Sequence, residues 1–222
     1  MSPRARRRLL IVSSILLVAT TAIWLVRDWI GAQFTIAVLE WDERVDSLEL
    51  ERVLDTLALQ PGDSVADIGS GSGLFTRPLA QRVGPEGLVY AVDIDPILLA
   101  HVERTADAAG LENIVPVLAV EDDPMLPAPV DLVLIINTLH HIRGRESYLA
   151  TLRSYLRPGG SIAIIDFRAG QSPHMKRSLK YDREELEAWL ERTEYRAVAA
   201  PEFLEENFFL IHDCPSCPAP VN

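Results

Sequence analysis

Val65-Ala66-Asp67-Ile68-Gly69-Ser70-Gly71-Ser72-Gly73 is the stretch on which the fold turns. A short apolar run that suits a buried strand passes straight into three glycines spaced two apart. Glycines after a first strand let the backbone turn tightly and come close to a ligand. A dinucleotide site reads G-x-G-x-x-G, whereas here the spacing is G-x-G-x-G. Asp67 stands two residues before the first glycine. A carboxylate at that point is awkward beside a pyrophosphate and useful beside an ammonium group. Asp93 lies about 20 residues beyond the last glycine, where an acid accepts hydrogen bonds from ribose hydroxyls.

Working outward, apolar runs and helical stripes alternate. Val45, Leu48, Leu50, Val53, Leu54 and Leu57 form a helix-like stripe, stopped by Pro61-Gly62-Asp63. After the glycines, residues 74–82 read as a helix and residues 88–92 as a second strand, with Asp93 at its end. Asp95 is an N-cap before Pro96, and the helix it opens runs to about residue 109, with Gly110 as its C-cap. Residues 114–118 and 130–136 are the third and fourth strands, the latter apolar enough to be buried on both faces. A helix over 147–156 ends at Pro158-Gly159-Gly160, a fifth strand follows over 162–165, and an acidic amphipathic helix covers 182–192. Residues 195–198 and 208–211 are two last strands. This alternation predicts an α/β fold around a mainly parallel sheet, whose ligands bind at the carboxyl ends of the strands.

The chain has 222 residues and a net charge of -11. That average hides a division. Residues 1–30 hold Arg4, Arg6, Arg7, Arg8 and Arg27 against Asp28, a net of +4, and leave -15 for the rest. The acidity argues against a nucleic-acid partner, since phosphate neutralisation needs Lys and Arg. Residues 9–26 carry no charge and follow an arginine cluster, and Trp24 and Trp29 fall where an interfacial aromatic anchor would sit, the pattern of an uncleaved membrane anchor rather than a short signal-peptide core. The expected division is a basic N-terminus (1–8), an anchor (9–26), an interfacial or juxtamembrane segment (27–44), a catalytic domain (45–212) and a tail (213–222). The arginines would keep the N-terminus inside and put the domain outside.

The motifs together resemble those of the class I S-adenosylmethionine-dependent methyltransferases, similar to the small quinone-type members. Residues 65–73 look like that family's first motif and Val89-Tyr90-Ala91-Val92-Asp93-Ile94-Asp95-Pro96 like its second. Glu121-Asp122-Asp123 resembles the loop after strand three, Asp131 to Ile142 the fourth-strand motif, Leu156-Arg157-Pro158-Gly159-Gly160 the turn before strand five, and Phe203 to Leu210 the terminal hairpin. The resemblance covers about residues 49–212. It implies a Rossmann-like seven-stranded sheet ordered 3-2-1-4-5-7-6, with helices on both faces and strand seven antiparallel, and S-adenosylmethionine as cofactor. It assigns Asp67 to the methionine end through the glycine loop and Gly69 and Gly71 to close backbone contact, with Ser70 and Gly73 also among the cofactor-binding residues. Gly73 has helix packing as its alternative. Asp93 and Ile94 would meet the ribose side. Asp122 would hold the adenine amino group, with Glu121 or Asp123 as register alternatives. Asn137 and Thr138 would lie beside the sulfonium.

Methyl transfer from a sulfonium is an in-line displacement with a neutral leaving group, so orientation and exclusion of water are the main requirements. A base is needed only for an acceptor that loses a proton. His140 and His141 after strand four, and Asp166 at the end of strand five, are the candidates, with Arg168 beside them. Tyr181 and His174 fall where acceptor specificity resides in this family. The acceptor is expected to be a small molecule or lipid at a membrane. A cofactor-binding membrane sensor without catalysis is the alternative, and a nicotinamide dehydrogenase is disfavoured by the glycine spacing. No metal is expected. Cys214-Pro-Ser-Cys217 reads as part of an untethered tail, with a disulfide or, with His212, half a metal site as alternatives.

Overall fold

Every residue of β1 (Ser64–Ile68) is buried, because a strand stands on each side of it and helices lie above and below. In the computed structural model of the protein, residues 3–168 and 181–217 are described, and the chain divides into two units, 1–38 and 39–222. The second unit holds the sheet. Its other strands are β2 (Leu88–Asp93), β3 (Ile114–Leu118), β4 (Val130–Ile136), β5 (Leu156–Phe167), β6 (Arg196–Ala199) and β7 (Asn207–Asp213). Their order is β3-β2-β1-β4-β5-β7-β6, as the motifs imply. Strands one to five are parallel, and β7 runs antiparallel to both β5 and β6. The chain leaves β1 toward β2 on one side and returns as β4 on the other, so a crevice opens at their carboxyl ends.

Alternation along the strands sends side chains to two cores. Ala66, Ile68, Val133 and Ile135 face one layer with Leu149 and Leu152 of α6 (Arg145–Leu152) and Leu186 and Leu190 of α7 (Arg183–Arg192). Val65, Leu132 and Leu134 face the other, with Leu54 of α3 (Leu50–Thr56) and Leu79 and Val83 of α4 (Thr76–Val83). The helix α5 (Pro96–Ala108) begins as expected, Asp95 accepting a hydrogen bond from the Ile97 N–H at 2.8 Å.

The first helical stripe of the domain is two helices rather than one. The helix α2 (Asp42–Ser47) stops before Glu49, whose left-handed backbone (φ 42) restarts the chain as α3 and leaves Leu48 buried at the break. Pro158-Gly159-Gly160 does not end an element. Val130 pairs with Leu156 and Leu132 with Ser161, so residues 157–160 are an extruded bulge within β5. The tail is not untethered either. Cys214 and Cys217 form a disulfide buried in the first core. No cluster of metal-ligating side chains is present among the described residues.

In the first unit a helix, α1 (Pro3–Leu39), runs without interruption through the segments expected to be anchor and interface. Over Thr20–Leu39 it is long and apolar enough to cross a bilayer, a property it shares with signal sequences. Leu17, Val18, Ile23 and Phe34 are between 68% and 71% exposed, which a helix buried in a soluble core would not show. Arg27 and Asp28 pair with each other at 2.9 Å within it.

Candidate active site

The crevice between β1 and β4 is a cavity of about 460 Å³, with Asp67, Asp93 and Asn137 among its walls. It is built on the glycine stretch. The Gly69 and Ser70 N–H groups both donate to the Val92 carbonyl, at 2.8 and 3.0 Å, which folds the loop back over β2. The Gly71 N–H donates to Asp93 Oδ2 at 2.9 Å, and Asp95 N–H donates to Asp93 Oδ1 at 3.0 Å. Asp93 therefore braces the loop and still presents free lone pairs to the cavity.

Glycine is required at two of these positions by space as well as by conformation. At Gly69 (φ +72) a Cβ would stand 2.3 Å from both Cγ2 and Oγ1 of Thr138. At Gly71 (φ +55) it would stand 2.8 Å from Leu39 Cδ1. The hydroxyls of Ser70 and Ser72 are buried without a hydrogen-bond partner among the described residues, which costs free energy unless a ligand or water satisfies them. Gly73 does not line the cavity. It packs beneath α5, 3.1 Å from Val102 at its missing Cβ, so the packing alternative is the one the structure shows.

Two carboxylates give this cavity its electrostatic character. Asp67 is buried and accepts a hydrogen bond from Thr76 Oγ1 at 2.6 Å, the hydroxyl at the start of α4. Burial pushes its carboxyl up to about 6; the Thr76 bond opposes the rise and the Asp93 charge adds to it. Asp93 is also raised, again chiefly by burial. Two acids strained by desolvation in one cavity are relieved by a cation. The donor set therefore fits a ligand that carries an ammonium group and a sulfonium and has no phosphate, and the unpartnered serines and the Cβ-free loop fit its close approach.

The remaining expected residues separate clearly. Ile94, Glu121, Asn137 and Thr138 line the cavity. Asp122 is exposed and does not line it, while Asp123 is engaged by the Tyr155 hydroxyl and the Met125 N–H, each at 2.7 Å. Of the three acids expected on the adenine side, Glu121 is the one that lines the cavity. Asn137 has a left-handed backbone (φ 49), held by its N–H to the Ile165 carbonyl at 2.8 Å and by Asn207 Nδ2 donating to its Oδ1 at 2.7 Å. Strain of that kind concentrates at functional sites.

Of the catalytic candidates, His141 reaches the cavity. His140 and Asp166 are buried and do not line it. Their rings and oxygens bond each other instead, His140 Nδ1 to Asp166 Oδ1 at 2.7 Å. Both are therefore corrected from cavity groups to supporting ones. Tyr181 is likewise buried, donating to Asp166 Oδ2 at 2.7 Å, and Arg168 pairs with Glu202 at 2.9 Å, away from the cavity. His174 lies outside the described residues. Sequence reasoning missed Ser72, Thr76 and Leu39. The two hydroxyls stand in or just after the glycine motif, while Leu39 carries no local signal of a cavity wall.

The sheet order is that of the Rossmann-like methyltransferase fold, and the comparisons support a class I S-adenosylmethionine-dependent methyltransferase. Residues 65–160 match the family described as "Methyltransferase domain". The chain is 30% identical over 129 residues to the ubiquinone/menaquinone biosynthesis C-methyltransferase UbiE of Teredinibacter turnerae, covering 56% of this chain and 51% of that one. It is 32% identical over 127 residues to the aklanonic acid methyltransferase DauC of a Streptomyces species, covering 56% and 58%. Among solved structures, a methyltransferase from Aquifex aeolicus superposes with a TM-score of 0.73 at 24% identity, over 81% of this chain and 96% of that one, a likeness of fold. The chain spans about half of the length of the curated relatives it matches.

Proposed function

We propose that this protein binds S-adenosylmethionine in the β1–β4 crevice and transfers its methyl group, by in-line displacement, to a small-molecule or lipidic acceptor at a membrane. The observation that carries the reading is the pairing of two desolvated carboxylates, Asp67 and Asp93, with the Cβ-free glycine loop and the unpartnered Ser70 and Ser72 hydroxyls. When bound, the cofactor supplies an electrophilic methyl group on a neutral leaving group.

The chain's own residues hold and orient. Asp67 attracts the cationic end through the loop that begins at Gly69, and Asp93 accepts hydrogen bonds from ribose hydroxyls beside Ile94. Glu121 accepts from the adenine amino group. Asn137 and Thr138 wall the reacting end, and the apolar side chains of Phe75, Leu39 and Ile142 keep water from it. Support for a membrane acceptor comes from α1, whose stretch Thr20–Leu39 has the length and hydropathy of a span. The names of the relatives, which include quinone biosynthesis, agree with an apolar acceptor.

Calorimetry of the full chain with S-adenosylmethionine, followed by labelled-methyl transfer into fractionated membrane extract, tests the reading. Binding together with a labelled lipid-phase product is expected. Binding with no transfer into any fraction would return the protein to the sensor class, and no binding would remove the cofactor assignment.

A further inference from the structure

Most of the large apolar side chains left exposed among the described residues of the sheet unit stand at one end of the sheet. Ile94 follows β2, Leu118 ends β3, and Val120 and Met125 stand in the loop after it, each between 50% and 63% exposed. They are neighbours. Asp93 pairs with Leu118 across the two strands, and the Ala119 N–H donates to the Asp93 carbonyl at 3.0 Å. Val120 bridges to Asp123, whose Oδ1 receives the Met125 N–H at 2.7 Å. Ile94 and Val120 line the cofactor cavity, whereas Leu118 and Met125 do not, so the patch extends beyond what a ligand in the cavity would cover. Single exposed apolar residues are ordinary; a contiguous group at the mouth of a cavity marks an interaction site.

Chain connectivity says what faces this rim. The stretch Thr20–Leu39, which has the length and hydropathy of a span, ends on a residue of the cavity wall. Leu39 Cδ1 lies 2.8 Å from the place of a Cβ on Gly71, and Glu40 Oε1 pairs with Arg77 Nη2 at 3.4 Å. Arg77 in turn donates to the Ser72 carbonyl at 3.0 Å. The end of the span and the wall of the glycine loop are thus the same few residues. The Gly71 N–H bonds Asp93, the strand partner of Leu118, so the loop joins Leu39 to the apolar rim. Trp41, 62% exposed and two residues past Leu39, is a side chain of the type that settles at headgroup level.

We infer that the β2–β3 side of the cavity mouth, Ile94, Leu118, Val120 and Met125 together with Trp41, rests on the surface of a lipid bilayer with neutral headgroups, so that an acceptor passes from lipid to cavity without crossing bulk water. The inference rests on the membrane part of the function proposed above. Apolar side chains gain by leaving water for the headgroup and acyl boundary. The exposed Glu121 and Asp122 within the patch repel anionic lipids, which selects the neutral surface. Pairing of β3 with a second copy is opposed by Pro116, which removes an N–H from that edge strand.

The full chain in phosphatidylcholine nanodiscs, given no cofactor or acceptor, tests the surface directly. L118C, M125C and V198C each carry one bimane label, the native cysteines being joined to each other and buried. Val198 is 60% exposed on β6, the opposite edge of the sheet. Doxyl-labelled lipid should quench the label on L118C and M125C about twofold or more and leave that on V198C nearly unchanged. No quenching on L118C and M125C, or equal quenching on all three, overturns the inference. Stronger quenching in phosphatidylglycerol discs overturns the choice of neutral headgroups. Shielding of both labels only in discs that hold two copies assigns the patch to a second copy and overturns it as well. L118E/M125E should slow labelled-methyl transfer into membrane extract presented as vesicles about tenfold and leave transfer into the same extract in detergent unchanged. An equal effect in both overturns the inference. Failure of the wild-type chain to enter nanodiscs overturns the membrane part of the proposed function, whereas entry without quenching overturns this inference alone.

Discussion

Gly69→Ala is the substitution whose cost the structure specifies best, because conformation and space both oppose it. The backbone at φ +72 is left-handed, which costs a residue with a Cβ about 1–2 kcal/mol. The new Cβ would also stand 2.3 Å from Cγ2 and Oγ1 of Thr138 and 2.8 Å from its Cβ. Overpacking of that kind costs about 1–3 kcal/mol. The single variant should therefore lose about 2–5 kcal/mol. Thr138→Ala alone gives up one methyl group and the hydrogen bond to the Ile136 carbonyl at 3.0 Å, a loss of about 1 kcal/mol. The double variant removes both 2.3 Å contacts and keeps the φ penalty and the 2.8 Å contact. It should recover about 1–2 kcal/mol relative to the sum of the singles, a coupling expected for side chains in contact. Urea unfolding of the full chain in micelles, at constant slope, measures all four corners of the cycle. Additivity within about 0.5 kcal/mol would falsify the claim that Thr138 is what excludes a side chain at Gly69.

Three other predictions follow from single groups. The Asp67 carboxyl titrates at about 6 in the folded chain against an ordinary 3.8, so the folded state binds more protons between those values. The stability this contributes is full below about pH 4 and is lost as pH rises through about 6, up to about 3 kcal/mol, and Asp67→Asn should flatten that slope in chemical unfolding at stepped pH. An unchanged slope counts against the raised carboxyl. At the loop after β3, Glu121→Gln should weaken S-adenosylmethionine binding severalfold by calorimetry while Asp122→Asn stays within twofold; the reverse order would restore the register read from sequence. The Cys214–Cys217 disulfide closes a loop of four residues, for which chain entropy gives about 2 kcal/mol. Cys214→Ser/Cys217→Ser should lower the unfolding midpoint accordingly, and a midpoint equal to wild type would show that the bridge adds nothing.

The sheet was legible because its signals are local. Apolar runs bounded by turn residues mark β1 to β4 at nearly the observed limits, and the order of motifs carries the strand order with it. What was missed depends on distant partners. The 157–160 bulge reads as a turn because Pro and Gly dominate it, yet Ser161 resumes the ladder opposite Leu132 and makes β5 one strand. Cys214 and Cys217 read as tail because nothing in their neighbours foretells the core that covers them. Continuity of α1 was hidden by Arg27 and Asp28, which look like the end of an apolar run until they are seen to neutralise each other.

The site shows the same limit at finer scale. Strand alternation says which face a residue takes, but it lapses after residue 136, and Asn137 then turns left-handed. Past that point two adjacent histidines are equivalent on paper. The structure separates them through an acid from the next strand. Asp166 draws His140 inward, and the next residue of the 3-10 turn, His141, lines the cavity. A buried acid bonded in this way does its work without touching a ligand. Asp67 differs in being desolvated yet open to the cavity, where a cation can discharge the cost of its burial. The acids of this chain thus divide by what answers their charge: solvent for most, protein donors for Asp166, and the ligand for Asp67 and Asp93. Exchanging the first two acids should reveal that division. Asp166→Asn should disturb the histidine pair and leave cofactor affinity nearly unchanged, and Asp67→Asn should weaken cofactor binding and leave the His141 titration midpoint in place.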